Sequence, residues 1–98
     1  MPALTAKQIS NLLKTVPTWE KRSQTITRSF VFEGFPESID FVNRIAKKAQ
    51  KINHHPDIDI RFDKVTLTLS THDEGGITGK DFSLARQCDE VFSKSLVS

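Results

Sequence analysis

Apolar positions recur along this chain with two periods, and the changes between them mark out its elements. Ile9, Leu12, Leu13 and Val16 fall at helical spacing. Thr5 and Gln8 precede them as a capping box, in which each side chain satisfies the other's free backbone N–H. Pro17 stops this first helix, and Trp19 begins a short strand. Residues 25–32 predict a second strand with Ile26, Phe30 and Phe32 on one face. Arg28 is the odd member of that face and predicts an edge position.

Gly34 and Pro36 mark the entry to the longest helix. Ile39, Val42, Ile45, Ala46, Ala49 and Ile52 line one side of it, and Arg44, Lys47, Lys48 and Lys51 the other. A basic stripe of this kind reads first as a solvated helix surface and second as a seat for an anionic partner. The helix must end by His55, because Pro56 pushes its predecessor out of the α region. Ile58, Ile60 and Phe62 then alternate with Asp59 and Arg61, the pattern of a strand with one wet face. Asp63-Lys64 makes a tight connection to a partner strand in which Val65, Leu67 and Leu69 alternate with Thr66, Thr68 and Ser70. A loop with Gly75 and Gly76 follows. Thr78 can cap the last helix, with Asp81 near its positive end, and Phe82, Ala85, Val91, Phe92 and Leu96 supply its apolar face. Four strands and three helices joined by hairpins predict an α+β fold: a single domain over residues 1–98, with a four-stranded antiparallel sheet and three helices packed on one face.

Composition narrows the function classes. Ninety-eight residues fit one core, and a chain of this size buries roughly 60–68% of its unfolded surface. A hydrophobic content of 37% is low for a self-sufficient monomer, so a homodimer or homotetramer is expected. Residues 25–32, as an edge strand, are the candidate for pairing across subunits. The net charge of +2, with both signs interspersed, makes nucleic acid an unlikely partner. Cys88 is the sole cysteine, so an internal disulfide is impossible. The N-terminus lacks a basic-then-apolar leader, and no apolar run approaches the ~18 residues of a membrane helix. A soluble, cytoplasmic protein with no membrane partner is expected.

The candidate chemistry lies in two short stretches. All three histidines fall in Asn53-His54-His55-Pro56-Asp57 and Ser70-Thr71-His72-Asp73, one at a helix end and one at a strand end. Histidine, with an unperturbed pKa of ~6.5, gives or takes a proton near neutrality. Consecutive residues at a helix end point differently, so His54 and His55 take different roles: one faces the reacting atom, and the other binds the ligand's rim or braces the first. Zinc is the rival reading, but its ligands must converge at ~2.0–2.1 Å in a tetrahedron, which adjacent histidines rarely achieve. Cys88 reads as core filling rather than as a nucleophile.

The order His54-His55-Pro56, Phe62, His72 and Asp81 resembles the signature of the pterin-4a-carbinolamine dehydratases. The resemblance extends through residues 65–72 and 78–82 and takes in Trp19, so it covers most of the chain. It departs at Gln50, where that family carries Glu or another charged residue. The resemblance implies dehydration of a 4a-hydroxytetrahydropterin to a quinonoid dihydropterin, in the recycling of a pterin cofactor. The pterin is then the substrate, and no metal or other cofactor is needed. It implies His54 and His72 as the acid/base pair and His55 as the residue that binds and orients the pterin. Pro56 and the backbone of Ser70, Thr71, His72 and Asp73 would meet the ring's polar edge, and Gln50, Asn53, Lys80 and Asp81 would support the site. Helical register places Gln50 four residues before His54, and so beside it. Two other functions fit such a chain: a non-catalytic dimerisation or assembly module, and a pterin-binding protein with little turnover.

Overall fold

Thr5 caps the first helix by the reciprocal bonds that its spacing predicts: Gln8 N–H donates to Thr5 Oγ1 at 3.2 Å, and Thr5 N–H to Gln8 Oε1 at 2.9 Å. The computed structural model describes residues 2–95. In chain order the elements are α1 (Ala6–Leu13), β1 (Glu20–Arg22), β2 (Thr25–Val31), α2 (Phe35–Ile52), β3 (Asp57–Arg61), β4 (Lys64–Leu69), a 3-10 turn (His72–Glu74) and α3 (Gly79–Ser95). The strands form one antiparallel sheet in the order β1-β2-β4-β3. Leu96, which the sequence assigns to the apolar face of α3, lies outside the described residues.

Alternation in the strands divides the two faces of the sheet. Ile26 and Phe30 of β2 and Val65, Leu67 and Leu69 of β4 point to one side and are buried under Ile9, Phe41, Ile45, Phe82, Leu84, Ala85 and Cys88 from the helices. Phe30, Phe32, Phe41 and Phe92 pack there as a ring cluster, Phe30 and Phe41 with centroids 4.8 Å apart. Among the described residues no helix covers the other face. Across it Ser29 Oγ meets Thr66 Oγ1 at 2.8 Å and Thr27 Oγ1 meets Thr68 Oγ1 at 3.3 Å. These cross-strand hydroxyl pairs suit a wet surface.

Three expectations need correction. Strand β2, which carries Arg28, is not an edge of the sheet: β4 pairs with it over Ile26–Val31 and β1 over Thr25–Thr27, which leaves the β1 side of residues 28–31 unpaired among the described residues. Arg28 lies on the helix-facing side instead. Its guanidinium bonds Asp89 at 2.6 Å, sits 4.2 Å from the Phe30 ring centroid, and shares Asp89 Oδ1 with the Trp19 indole N–H. Phe62 leaves the strand: it occupies the two-residue β3–β4 turn at φ 55° and is 67% exposed. The buried stripe of α2 is Ser38, Phe41, Ile45 and Ala49, whereas Ala46 and Ile52 are exposed.

Candidate functional site

The end of α2 decides where the adjacent histidines point. Asn53 takes the left-handed conformation, φ 53° and ψ 44°, that asparagine tolerates better than other non-glycine residues. Its N–H bonds to the carbonyl of Gln50, and His54 N–H reaches back to the carbonyl of Ala49 at 3.0 Å. This double bond pattern is the Schellman cap. It reverses the chain, so that His54 turns inward and His55 returns over the exterior of the helix. His54 is 9% exposed, whereas His55 is exposed and pairs its Nε2 with Gln50 Oε1 at 3.0 Å. Gln50 therefore hydrogen-bonds His55 rather than His54, because the i,i+4 register fails once the helix ends at Ile52.

Inside, His54 Nε2 meets Asp81 Oδ1 at 2.6 Å. Asp81 is fully buried in the first turn of α3. A buried carboxylate is tolerated only when its oxygens are hydrogen-bonded, and here they are: Oδ2 accepts from Thr71 Oγ1 and from Thr78 N–H, each at 2.9 Å. Thr78 Oγ1 meets Thr71 Oγ1 at 2.8 Å and accepts from Lys80 N–H at 3.2 Å. Thr78 and Asp81 thus cap α3 reciprocally, as the spacing suggests. The hydroxyl of Thr78 joins the network, a role that its sequence position as a cap did not reveal.

His72 opens the 3-10 turn directly after Thr71 and is exposed. Its side chain makes no hydrogen bond among the described residues. Thr71 and Gly76 hold the base of this loop closed, with Thr71 N–H donating to the Gly76 carbonyl at 2.9 Å. The left-handed Gly75, φ 72°, makes the turn back. The backbone N–H of Thr71 is thereby engaged within the loop, and its side chain points to Asp81. Ser70 and Pro56 are half-buried, and Asp73, Lys80, Gln50 and Asn53 are exposed around the same two chain ends.

One carboxylate therefore joins the two histidine-bearing stretches: Asp81 binds His54 from the first and Thr71, next to His72, from the second. With Asp81 ionised and able only to accept, His54 Nε2 carries the proton. Among the described residues every buried side-chain nitrogen or oxygen has a partner. His54 Nδ1 has none, so it is the ring nitrogen that reaches solvent. A carboxylate-anchored imidazole with its second nitrogen open is an arrangement for proton transfer. Among the described residues no three His, Cys, Asp or Glu side chains gather as a metal site would require. Burial pushes the Cys88 thiol up to about 12, with the Asp89 carboxylate adding to the shift and Arg28 opposing it. A groove of about 780 Å3 between α2 and α3 is lined by Arg44, Lys47, Lys48, Lys51 and other polar side chains, and it holds none of the histidines. Flexible charged side chains frame that groove, whereas the histidine site is built on a buried network.

A four-stranded antiparallel sheet under three helices, with a buried histidine–aspartate pair where α2, the loop after β4 and α3 meet, defines a small α+β protein. The family model for pterin 4 alpha carbinolamine dehydratase matches residues 2–91. Similar chains include one from Nocardia farcinica, 48% identical over 88 residues (90% of this chain, 93% of the relative), and one from Thermomicrobium roseum, 44% identical over 93 residues (95% of this chain, 100% of the relative). Both are provisionally named pterin-4-alpha-carbinolamine dehydratases. The crystal structure of a transcriptional coactivator/pterin dehydratase from Brucella melitensis superposes with a TM-score of 0.88 at 33% identity, covering 92% of this chain and 98% of that one. A pterin dehydratase-like protein identified as a RuBisCO assembly factor in the alpha-carboxysome shares the fold, at 18% identity over 74% of this chain and 84% of that one, with a TM-score of 0.61. The chain belongs to the pterin-4a-carbinolamine dehydratase family.

Proposed function

We propose that this protein dehydrates a 4a-hydroxytetrahydropterin to the quinonoid dihydropterin and water by histidine general acid–base catalysis, in pterin recycling. The observation that carries this reading is the His54–Asp81 contact, 2.6 Å long and buried, with the other imidazole nitrogen open to solvent. The substrate carries its hydroxyl on a ring carbon next to nitrogen. Its loss as water requires one proton delivered to the departing oxygen and one removed from the ring nitrogen. Each positioned proton transfer is typically worth about 10²–10⁴-fold. His54 and His72 supply the two transfers, and His55 orients the ring. The ring's polar edge meets Pro56 and the chain at residues 70–73, and Gln50, Asn53, Lys80 and Asp81 support the site. Both steps are proton transfers, so the pterin is substrate and no cofactor is assigned. The test is turnover of a 4a-hydroxytetrahydropterin by the purified protein, followed as loss of the carbinolamine absorbance. A first-order loss that rises with protein concentration is expected, and a rate equal to the spontaneous one defeats the reading.

A second reading is favoured by the names of relatives, one a coactivator as well as a dehydratase and another an assembly factor: the chain also serves as a binding partner. For self-assembly, the outer edge of β3 is unpaired among the described residues, and Ile58 beside it is 39% exposed. Pairing of this edge with a second copy makes a homodimer or homotetramer the expected state.

A further inference from the structure

We propose that the hydroxyls of Thr71 and Thr78 are positioning groups that lock His54 in the Nε2–H tautomer, so that His54 enters the reaction as the proton acceptor. The catalytic half of this proposal rests on the dehydratase reading. The tautomer half rests on hydrogen bonds alone.

The direction of every bond in the network follows from its two fixed ends, a backbone N–H that can only donate and a carboxylate that accepts. Lys80 N–H is a backbone donor, and it donates to Thr78 Oγ1. Thr71 Oγ1 gives its proton to Asp81 Oδ2. In the Thr71–Thr78 contact of 2.8 Å the donor is then Thr78, since the single proton of Thr71 is already committed. Thr78 N–H also donates to Oδ2. Two protons, one from the Thr71 hydroxyl and one from the Thr78 backbone, thus bond Oδ2 of one buried carboxylate, and its remaining oxygen accepts from His54 Nε2–H at 2.6 Å. The opposite tautomer would set the bare Nε2 lone pair against the carboxylate oxygen Oδ1, two acceptors facing each other at 2.6 Å.

The consequence is chemical. Neutral His54 offers only a lone pair at Nδ1. It takes the proton from the ring nitrogen, the N–H electron pair becomes the new C=N π bond, and the C–O bond breaks. The departing oxygen takes its proton from a second acid. His72 suits that role, because its ring is exposed and unanchored among the described residues, so solvent can reprotonate it after each cycle. His54 returns its extra proton to solvent through the same open nitrogen.

The experiment combines 15N NMR of the histidine rings, above the pH at which they are protonated, with steady-state kinetics. In the unmodified protein the His54 signals should show Nε2 protonated and Nδ1 bare. Thr71→Val, which keeps the shape and removes the donor, should move them toward a mixture of tautomers. It should lower kcat about tenfold, the scale of losing one well-placed hydrogen bond, with KM changed less than about twofold. Thr78→Val should act in the same direction and more weakly, and Thr71→Ser should restore both readouts. An Nδ1–H tautomer in the unmodified protein overturns the proposal whatever the kinetics. An unchanged tautomer and kcat in both valine variants overturns the role of the hydroxyls. If Thr71→Val does not fold, Thr78→Val and Thr71→Ser carry the test. A protein with the expected tautomer and no turnover overturns the catalytic half and the dehydratase reading together, and leaves the tautomer lock standing.

Discussion

Gln50 is bonded to His55, and not to His54, across the end of α2: its Oε1 meets His55 Nε2 at 3.0 Å. Gln50→Glu should therefore act on His55, the proposed binding histidine, rather than on the proposed acid–base pair of His54 and His72. A carboxylate at that distance favours the imidazolium form, so protonated His55 persists to higher pH. The expected outcome is an upward move of the acidic limb of kcat/KM against pH, with kcat at saturation changed less than about twofold. An equal change in kcat would mean that position 50 reaches the reacting atoms.

His72→Ala should lower the dehydration rate by about two to four orders of magnitude, the usual size of a general acid–base contribution. The fold should be untouched, since the side chain is exposed and holds nothing among the described residues. Turnover at the unmodified rate, in a variant with unchanged circular dichroism, would remove His72 from the mechanism.

Asp81→Asn should fail twice over. The amide keeps the volume, but one of its ends presents N–H where the site offers donors, which costs about 1–3 kcal/mol of stability. If the N–H end faces His54, the ring is pushed into the Nδ1–H tautomer, and kcat should fall by about 10²–10⁴-fold. Urea unfolding and turnover on the same preparation separate the two losses.

Cys88 gives a pH dependence of defined sign. Its thiol keeps its proton up to about 12 in the folded protein, whereas an unfolded chain releases it near ~8.5. The folded state thus binds the proton more tightly. The associated stability is fully present below about pH 8.5 and is lost as pH rises toward 12, at up to about 1.4 kcal/mol per unit. The chain has no tyrosine, so lysines are the main other groups titrating there. The difference in urea midpoint between the unmodified protein and Cys88→Ala should narrow from pH 8 to pH 10. A constant difference would show that the thiol is not held in its acid form.

Assembly should depend on β3. Ile58→Lys places a charge on a residue that is already 39% exposed, so the monomer should fold normally. Light scattering at micromolar concentration should show a homodimer or homotetramer for the unmodified protein and a monomer for the variant. A monomer in both cases would exclude self-association through this edge.

Much of the architecture was legible because it is local. The Thr5–Gln8 box, the end of α2 by His55 ahead of Pro56, and the alternation of Val65, Leu67 and Leu69 each depend on residues within a few positions of one another. What was missed depends on distant partners. Arg28 looked like an edge residue because nothing near it in sequence reveals Asp89, 61 residues later, or that β4 inserts between β2 and β3. Phe41 was overlooked because Ile39 and Val42, on its flanks, drew the apolar face of α2 too wide. At the site, the histidines and Asp81 could be picked out as candidates, but the pairing of Gln50 with His55 could not. A single left-handed residue undoes the helical register on which that expectation stood.

Asp81 closes the first turn of α3, ties that helix to the loop after β4, and anchors His54 with the same two oxygens. A descendant of this chain that lost its substrate would still need the carboxylate to hold α3 in place, and would keep the imidazole or another donor against it. Asp81 and His54 are therefore poor markers for sorting enzymes from partner-binding members of the family. His72, whose side chain supports nothing among the described residues, is free to drift once turnover no longer matters. On the proposed mechanism, its presence in a sequence is the sharper sign that a pterin is still being processed.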